Sequence, residues 1–261
     1  MRKQIVSFGI VLWLLSQATF ALNTTFKSLT CDAQVNPIAV ESKQPLLSWE
    51  VCADGFNRSQ TAYQILVASS ADLLSEKKSD VWNSGKVASA QSAFVKYKGE
   101  VLSPTQKYFW KVKIWDEKGK ASAWSAVNTF EMGLMDESQW ENAQWISLSK
   151  DNRTSDHRFR EYQTGGMKEP IILTSQAVGY FRNEIEANKK IASARAYICG
   201  LGYYELYING EKTGDHVLDP APSNYDSQAY YVSYDVTDQV KTGKNALGII
   251  LGNGFYGQDI S

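Results

Sequence analysis

Histidine and cysteine are scarce in this sequence, which contains 2 and 3 of them among its 261 residues. His157 and His216 lie far apart along the chain, and neither forms a spaced ligand set with the cysteines. This scarcity argues against a catalytic metal centre. Basic and acidic residues are balanced, at 27 and 28, so the chain lacks the cationic surplus typical of proteins that bind nucleic acid. No segment has a helical hydrophobic period longer than two turns, which favours strands.

Motifs for nucleotide binding and for serine hydrolysis are missing as well. The pairs Gly200-Leu-Gly202 and Gly252-Asn-Gly254 lack the third glycine and the flanking βαβ unit of a nucleotide-binding loop. They fit tight bends where strands leave a sheet. Because no Gly-x-Ser-x-Gly elbow occurs either, the sequence gives no support to a serine hydrolase.

The longest apolar run lies at the N-terminus. Ile5–Leu15 is an 11-residue apolar stretch that follows the basic pair Arg2-Lys3, and Thr19-Phe20-Ala21 comes after it. About 20 apolar residues are needed to span a bilayer, so this pattern predicts a secretory signal peptide at residues 1–21. The expected mature protein is periplasmic or secreted and has no membrane span. A retained membrane anchor is the alternative.

Export makes a disulfide bond possible. Cys31 precedes an extended run at residues 33–40, and Cys52 ends a second run at residues 46–52. If the two runs pair across a turn near residues 41–43, Cys31 and Cys52 face each other, which predicts a disulfide between them. Two separately buried thiols are the alternative. Cys199 is interpreted as a small buried side chain.

Aromatic residues make up 12% of the chain, including 8 Trp and 14 Tyr. This content fits the cores of β-sandwiches and would also suit sugar binding. Residues 27–133 predict a sandwich of about seven short strands, in which alternate residues from Tyr108 to Ile114 share one face. Leu102, Pro104 and Tyr108 match the tyrosine corner of immunoglobulin-like sandwiches. The segment resembles a fibronectin type III domain.

Residues 138–261 predict a second β-rich unit. Strand-like runs occur at Tyr204–Asn209, Ala229–Val236 and Asn245–Gly252, with Asn209-Gly210 as a tight turn. Two further strands are expected at Val178–Ile185 and Ile191–Cys199, whereas Lys150–Pro170 is polar and predicts a surface loop.

Four segments of this second unit closely resemble the N-terminal domain of bacterial α-L-rhamnosidases, glycoside hydrolase family 78. They are Ala196–Gly210, Leu218–Pro222, Tyr234–Asp238 and Leu251–Tyr256. The resemblance implies an all-β chain in which a fibronectin type III-like sandwich precedes a jelly-roll-like sandwich. It also implies that catalytic carboxylates lie in a helical barrel further along the protein. On this basis the chain alone is expected to be inactive, its second sandwich incomplete, and the downstream catalytic module its partner.

A loop before the Ala229–Val236 run offers aromatic and polar groups for a rhamnose-containing glycan. The candidate substrate-binding residues are Asp219, Asn224, Tyr225, Asp226, Asn253 and Phe255. Prolines restrict this loop, but the same loop could instead dock on the barrel. Asp215, Asp219 and Asp226 could in principle serve an inverting hydrolase, which needs two carboxyl groups about 6.5–9.5 Å apart. Their positions beside Gly, Pro and polar residues favour turn formation instead, so no catalytic residue is assigned.

No cofactor or metal is expected, although calcium is an alternative, with Asp219, Asn224 and Asp226 as ligands. A weak pair between Asp215 and His216 is a further possibility. Two functions follow. The first is the accessory N-terminal part of an exported α-L-rhamnosidase-like enzyme. The second is a self-sufficient secreted protein of two sandwiches that binds carbohydrate or mediates adhesion.

Overall fold

The computed structural model describes residues 25–53, 56–147, 156–160, 171–175, 178–254 and 256, and gives only the backbone for 156–160 and 171–175. The predicted signal peptide at residues 1–21 and the candidate residue Phe255 lie outside the described residues. The chain is all-β, as the sequence predicts, and its described residues include two short 3-10 turns, at Ala71–Leu73 and Glu137–Trp140. Within the described residues, no helix is long and apolar enough to cross a membrane.

The first module consists of seven strands. They are β1 (Thr25–Cys31), β2 (Leu46–Cys52), β3 (Gln60–Ala68), β4 (Trp82–Asn83), β5 (Val95–Lys96), β6 (Lys107–Asp116) and β7 (Asn128–Glu131). They form two antiparallel sheets, with strand orders β1-β2-β5 and β4-β3-β6-β7. The two sheets enclose the main hydrophobic core, as in other immunoglobulin-like sandwiches.

Strand β6 shows how the sequence pattern builds this core. Tyr108, Trp110, Val112 and Ile114 alternate along the strand, and all four are buried. The predicted tyrosine corner is confirmed, because the Ser103 N–H donates to the Tyr108 hydroxyl oxygen at 2.8 Å. This bond ties the connection before β6 to the strand itself.

Strand β3 is buried more completely than its alternating pattern indicates. Tyr63, Ile65 and Val67 face the main core, but Leu66 on the opposite face is also fully buried. Leu66 belongs to a second apolar cluster with Leu74 and Ala68, against which Leu73, Phe109 and Trp124 pack. Residues distant in sequence therefore cover the outer face of β3, and the strand is buried on both faces.

The predicted disulfide between Cys31 and Cys52 is wrong, because β2 pairs with a different segment from the one expected. Its partner is β1, and the register places Cys31 opposite Leu47 and Cys52 opposite Thr25. The two cysteines lie at opposite ends of this strand pair, about 17 Å apart at 3.4 Å per residue. A disulfide needs Cα atoms within about 7 Å. Both thiols are free; Cys31 is buried and Cys52 is exposed.

The predicted extended run at residues 33–40 is instead a tight turn and a loop. Ala33 and Asn36 have positive φ angles of 64° and 50°, which interrupt a strand. The predicted loop at Lys150–Pro170 also needs correction, because Asp156–Arg160 within it is a strand.

The described part of the second module contains eight strands. They are β8 (Asp156–Arg160), β9 (Ile171–Ser175), β10 (Gly179–Ala187), β11 (Arg195–Cys199), β12 (Tyr203–Ile208), β13 (Glu211–Lys212), β14 (Tyr231–Asp235) and β15 (Gly243–Gly252). One antiparallel sheet has the order β10-β15-β12-β13, and β11-β14 and β8-β9 form two separate pairs. The four-stranded sheet and the β11-β14 pair share a core built on Tyr204, Leu206, Ile208, Tyr234 and Val236.

The predicted Asn209-Gly210 turn joins β12 to β13. Both residues have positive φ angles, 55° and 88°, as a two-residue hairpin turn requires. The Asn209 side chain also donates to the Asn245 Oδ1 at 2.9 Å, and Asn245 is fully buried at the start of β15. This contact links the hairpin to the strand that lies next to it in the sheet.

The β11-β14 pair faces the four-stranded sheet but has only half as many strands. Within the described part of the chain, β10 is paired along one edge only, with β15. Tyr180 on β10 is 74% exposed, and the neighbouring Val178 is also exposed. Among the described residues, a cleft lies beside β10.

Candidate functional site

The loop between β13 and β14 contains four of the six predicted substrate-binding residues, and its first half is anchored from within the chain. Asp219 Oδ2 lies 2.6 Å from His216 Nδ1. The Asp219 carbonyl oxygen accepts a hydrogen bond from the Tyr204 N–H at 2.9 Å, and Pro220 after it is buried. His216 therefore pairs with Asp219 and not with Asp215, the possible partner beside it in the sequence.

The Asp219 charge lies close to two tyrosines of the core. Burial is the main cause that raises the pKa of both Tyr204 and Tyr234, and the nearby Asp219 carboxylate raises both further. The Tyr234 hydroxyl donates to the Tyr204 oxygen at 3.3 Å. Both phenols therefore stay protonated at neutral pH, and this cluster fixes the loop on the sheet.

The second half of the loop is a compact turn. The Asn224 carbonyl oxygen accepts hydrogen bonds from the N–H groups of Ser227 and Gln228, both at 2.9 Å. The Asn224 Oδ1 also accepts from the Asp226 N–H at 3.2 Å. These contacts have the form of turn chemistry, in which short polar side chains satisfy nearby backbone groups.

Two of the predicted residues, Tyr225 and Asn253, are placed near the segment that follows β15. The Tyr225 ring contacts the Tyr256 ring edge to face, with 5.2 Å between their centroids. Asn253 lines the cleft beside β10, which has a volume of about 500 Å³. Asp219, Asn224, Tyr225 and Asp226 do not line this cleft, so the structure divides the predicted set between the loop and the cleft.

The cleft is lined mainly by apolar side chains. They come from the ends of three strands and from the segment after the second 3-10 turn, and include Phe181, Ile198, Ile249, Leu251 and Trp145. Cys199 and Tyr204 also line it, and burial raises the pKa of both groups. Among the described residues that line the cleft there is no Asp or Glu. Because glycoside hydrolysis needs two carboxyl groups, this cleft can bind apolar surface but offers no acid–base pair.

Metal binding receives no support from the described segments. In them, no group of three or more His, Cys, Asp or Glu side chains converges on a common point. The carboxylate of Asp219, one of the possible calcium ligands, is already paired with His216. The calcium alternative therefore has no structural observation in its favour.

A contact between the two modules involves residues that the sequence analysis did not identify. The Tyr231 hydroxyl accepts from the Leu134 N–H at 3.0 Å and donates to the Leu134 carbonyl at 3.2 Å. Its ring packs edge to face on Trp140, with 5.6 Å between centroids. Arg195 on β11 also forms an ion pair with Glu131 on β7. Nothing in the local pattern marks these residues, since each looks like an ordinary strand or loop position.

Two protein families match the chain. The family described as "Rha78A-like, N-terminal immunoglobulin domain" matches residues 26–136. The family described as "Alpha-L-rhamnosidase N-terminal domain" matches residues 189–261. Together the two matches cover the first module and most of the second.

The relatives are enzymes much longer than this chain. An alpha-L-rhamnosidase from Formosa agariphila is 59% identical over 90% of this chain and 25% of its own length. The structure of an alpha-L-rhamnosidase from Dictyoglumus thermophilum has a TM-score of 0.79 at 43% identity, over 89% of this chain and 25% of that one. One from Aspergillus terreus has a TM-score of 0.70 at 25% identity, over 90% and 24%.

The chain thus spans about a quarter of the length of the relatives it matches. Both matched families are described as N-terminal domains, and in this chain the immunoglobulin domain comes first. Over both modules, the chain is therefore an N-terminal region of the α-L-rhamnosidase family, glycoside hydrolase family 78.

Proposed function

We propose that the chain is the accessory N-terminal region of an exported α-L-rhamnosidase, in which a catalytic region beyond these 261 residues hydrolyses terminal α-L-rhamnosyl bonds. The observation that carries this proposal is the match of both modules to N-terminal domains of such enzymes, over about a quarter of their length. The substrate of the whole enzyme is a rhamnose-containing glycan or glycoside.

The role proposed for this region is that of a rigid support. The Tyr231–Leu134 hydrogen bonds and the Tyr231–Trp140 ring contact join the two modules through buried and half-buried groups. A region fixed in this way can hold the second module, with its apolar cleft, in one orientation towards the catalytic region. The loop that carries Asp219, Asn224, Tyr225 and Asp226 either docks there or contacts the glycan.

Export is part of the proposal and rests on residues 1–21. Expression in a bacterium with a Sec pathway should yield a mature chain that begins at Leu22, detected by intact mass of the exported protein. A product that keeps Met1 and sediments with the membrane fraction would support the anchor instead.

The function is tested with a chimera of the Formosa agariphila relative, in which this chain replaces the matching N-terminal quarter. We expect the chimera to keep the hydrolysis of p-nitrophenyl α-L-rhamnoside, and a variant that lacks the quarter to lose soluble expression or activity. The chain by itself should give no turnover. Turnover by the chain alone that is abolished by changing Asp215, Asp219 or Asp226 would overturn the proposal.

A further inference from the structure

Phe94 on the first module is an exposed aromatic residue in an unusual backbone conformation. It precedes β5, its φ angle is 54°, and its side chain is 60% exposed. Positive φ is sterically unfavourable for a bulky residue. The exposed ring gains little from core packing, and backbone outliers of this kind cluster at functional sites.

Side-chain hydrogen bonds hold the Phe94 segment in place. The Phe94 N–H donates to Ser48 Oγ at 2.9 Å. Gln91 Nε2 donates to the carbonyl oxygens of Ala93 and Phe94, at 3.0 and 3.2 Å. Gln60 Nε2 in turn donates to the Gln91 carbonyl at 2.8 Å. The backbone that carries the ring is therefore held by the fold, which lowers the entropy cost of binding to this segment.

The ring lines a cleft of about 630 Å³ on the outer face of the β1-β2 sheet. The register pairs Ser28 with Glu50 and Thr30 with Ser48, and all four residues line the same cleft. Among the described residues, the hydroxyl groups of Ser28 and Thr30 have no hydrogen-bond partner in the protein. The cleft therefore combines an aromatic face with hydroxyl groups that are free to bind a ligand.

This chemistry matches a neutral pyranose. A sugar ring has an apolar C–H face that stacks on an aromatic ring, and its hydroxyl groups both donate and accept. Ser28 and Thr30 offer both roles, and the Glu50 carboxylate, which is 3.4 Å from Lys27 in an exposed pair, offers acceptors. Glu50 is the one carboxyl group among the described residues that line the cleft. Since hydrolysis needs two, the cleft is suited to binding and not to catalysis.

We propose that this Phe94 cleft is a saccharide-binding site on the first module, separate from the apolar cleft of the second module. Phe94 serves as the stacking platform, while Ser28, Thr30 and Glu50 hydrogen-bond the sugar hydroxyls. The site goes beyond the accessory role proposed above. Only the choice of rhamnose as the first probe rests on that role.

The test is a titration of the ¹⁵N-labelled full chain, followed by amide NMR shifts, with L-rhamnose, D-galactose, D-glucose and D-glucuronate as separate probes. We expect at least one neutral sugar to shift the amides of Ser48 and Phe94, with a dissociation constant on the order of 1 mM. Phe94→Ala should weaken binding about tenfold, because the stacking surface is lost. Phe94→Tyr should keep it within about twofold.

The matched control is Phe56→Ala, which removes another exposed phenylalanine of the same module, 97% exposed and outside the cleft. It should leave binding unchanged. If Phe94→Ala fails to fold, Thr30→Val takes its place and should weaken binding several-fold while leaving the backbone untouched. The proposal is overturned if no neutral sugar shifts the cleft amides, if glucuronate alone does, or if Phe56→Ala weakens binding equally. An active chimera combined with a silent cleft would reject this site and leave the accessory role standing.

Discussion

Arg195 on β11 forms a two-pronged ion pair with Glu131 on β7 and so joins the two modules. Arg195 Nε lies 2.9 Å from Glu131 Oε1, and Arg195 Nη2 lies 2.8 Å from Glu131 Oε2. The two side chains are 13% and 7% exposed. Arg195 Nη1 also lies 2.7 Å from Asp235 Oδ1. Planar, paired hydrogen bonds of this kind fix orientation as well as distance.

Replacing Arg195 should destabilise the chain strongly. Arg195→Ala leaves the buried Glu131 carboxylate without a partner, which should lower the free energy of unfolding by about 3 kcal/mol. Urea unfolding followed by tryptophan fluorescence measures this loss. Arg182→Ala is the control, because its exposed pair with Glu184 should contribute less than about 1 kcal/mol. Equal effects of the two substitutions would show that the Arg195 pair does not hold the modules together.

Asp235 should make stability depend on pH in the acidic range. Burial by itself would raise its pKa, but hydrogen bonds from Thr237 and the charge of Arg195 lower it below the ordinary value of 3.8. A lowered folded-state pKa stabilises the fold above the unfolded pKa, and this stabilisation is lost as the pH falls through the folded pKa. The difference in unfolding free energy between wild type and Asp235→Asn should therefore be largest near neutral pH and should shrink below pH 3.8.

Urea unfolding at a series of pH values measures that difference. The control, Glu184→Gln, removes a carboxylate from the exposed ion pair with Arg182 on β10. A difference for Asp235→Asn that grows as the pH falls would contradict the prediction.

Gly133 should tolerate no side chain as long as Tyr231 is present. A methyl group at this position would overlap the Tyr231 hydroxyl and lie 3.3 Å from Ala39 Cα. Gly133→Ala should therefore cost about 1–3 kcal/mol, and the additional change Tyr231→Phe should recover part of this loss by removing the clashing oxygen. Gly248→Ala, where the nearest atom would lie 3.6 Å away, should be nearly neutral. Thermal unfolding of wild type, Gly133→Ala, Tyr231→Phe and the double variant tests the pair, and strictly additive effects would refute the contact.

Thiol titration should find three free cysteines. Burial raises the pKa of Cys31, with a further contribution from the Asp32 charge, and burial also raises that of Cys199. Cys52 is exposed. We expect one fast-reacting thiol in the native chain and three in denaturant without reductant. Finding only one thiol in denaturant would restore the disulfide between Cys31 and Cys52.

Much of the fold could be predicted from the sequence because it follows from local patterns. Alternation from Tyr108 to Ile114 predicts a buried face, and Asn209-Gly210 predicts a two-residue turn, and both are present. The partner of β2 could not be predicted in this way. Any extended segment of suitable length can pair with it, and positive φ angles at Ala33 and Asn36 prevent residues 33–40 from doing so.

The candidate site was predictable only in part, because some of its contacts join residues that are distant along the chain. The turn residues around Asn224 show their chemistry within a few positions, so the sequence favours a turn there. The contact of Tyr225 with Tyr256 joins residues from separate elements, and the pairing of His216 with Asp219 rather than with its neighbour Asp215 depends on the shape of the loop. The functional role of these residues stays a prediction.

The sequence by itself determined the all-β class, the positions of most strands and the resemblance to rhamnosidase N-terminal regions. Each of these depends on residues that are close together along the chain. Only the tertiary structure decided that Arg195 meets Glu131, that Phe94 stands beside Ser28 and Thr30, and that Cys31 and Cys52 lie apart. Those relationships arise from the register of strands and the docking of sheets, which minimise the free energy of the whole chain and leave no trace in any single segment.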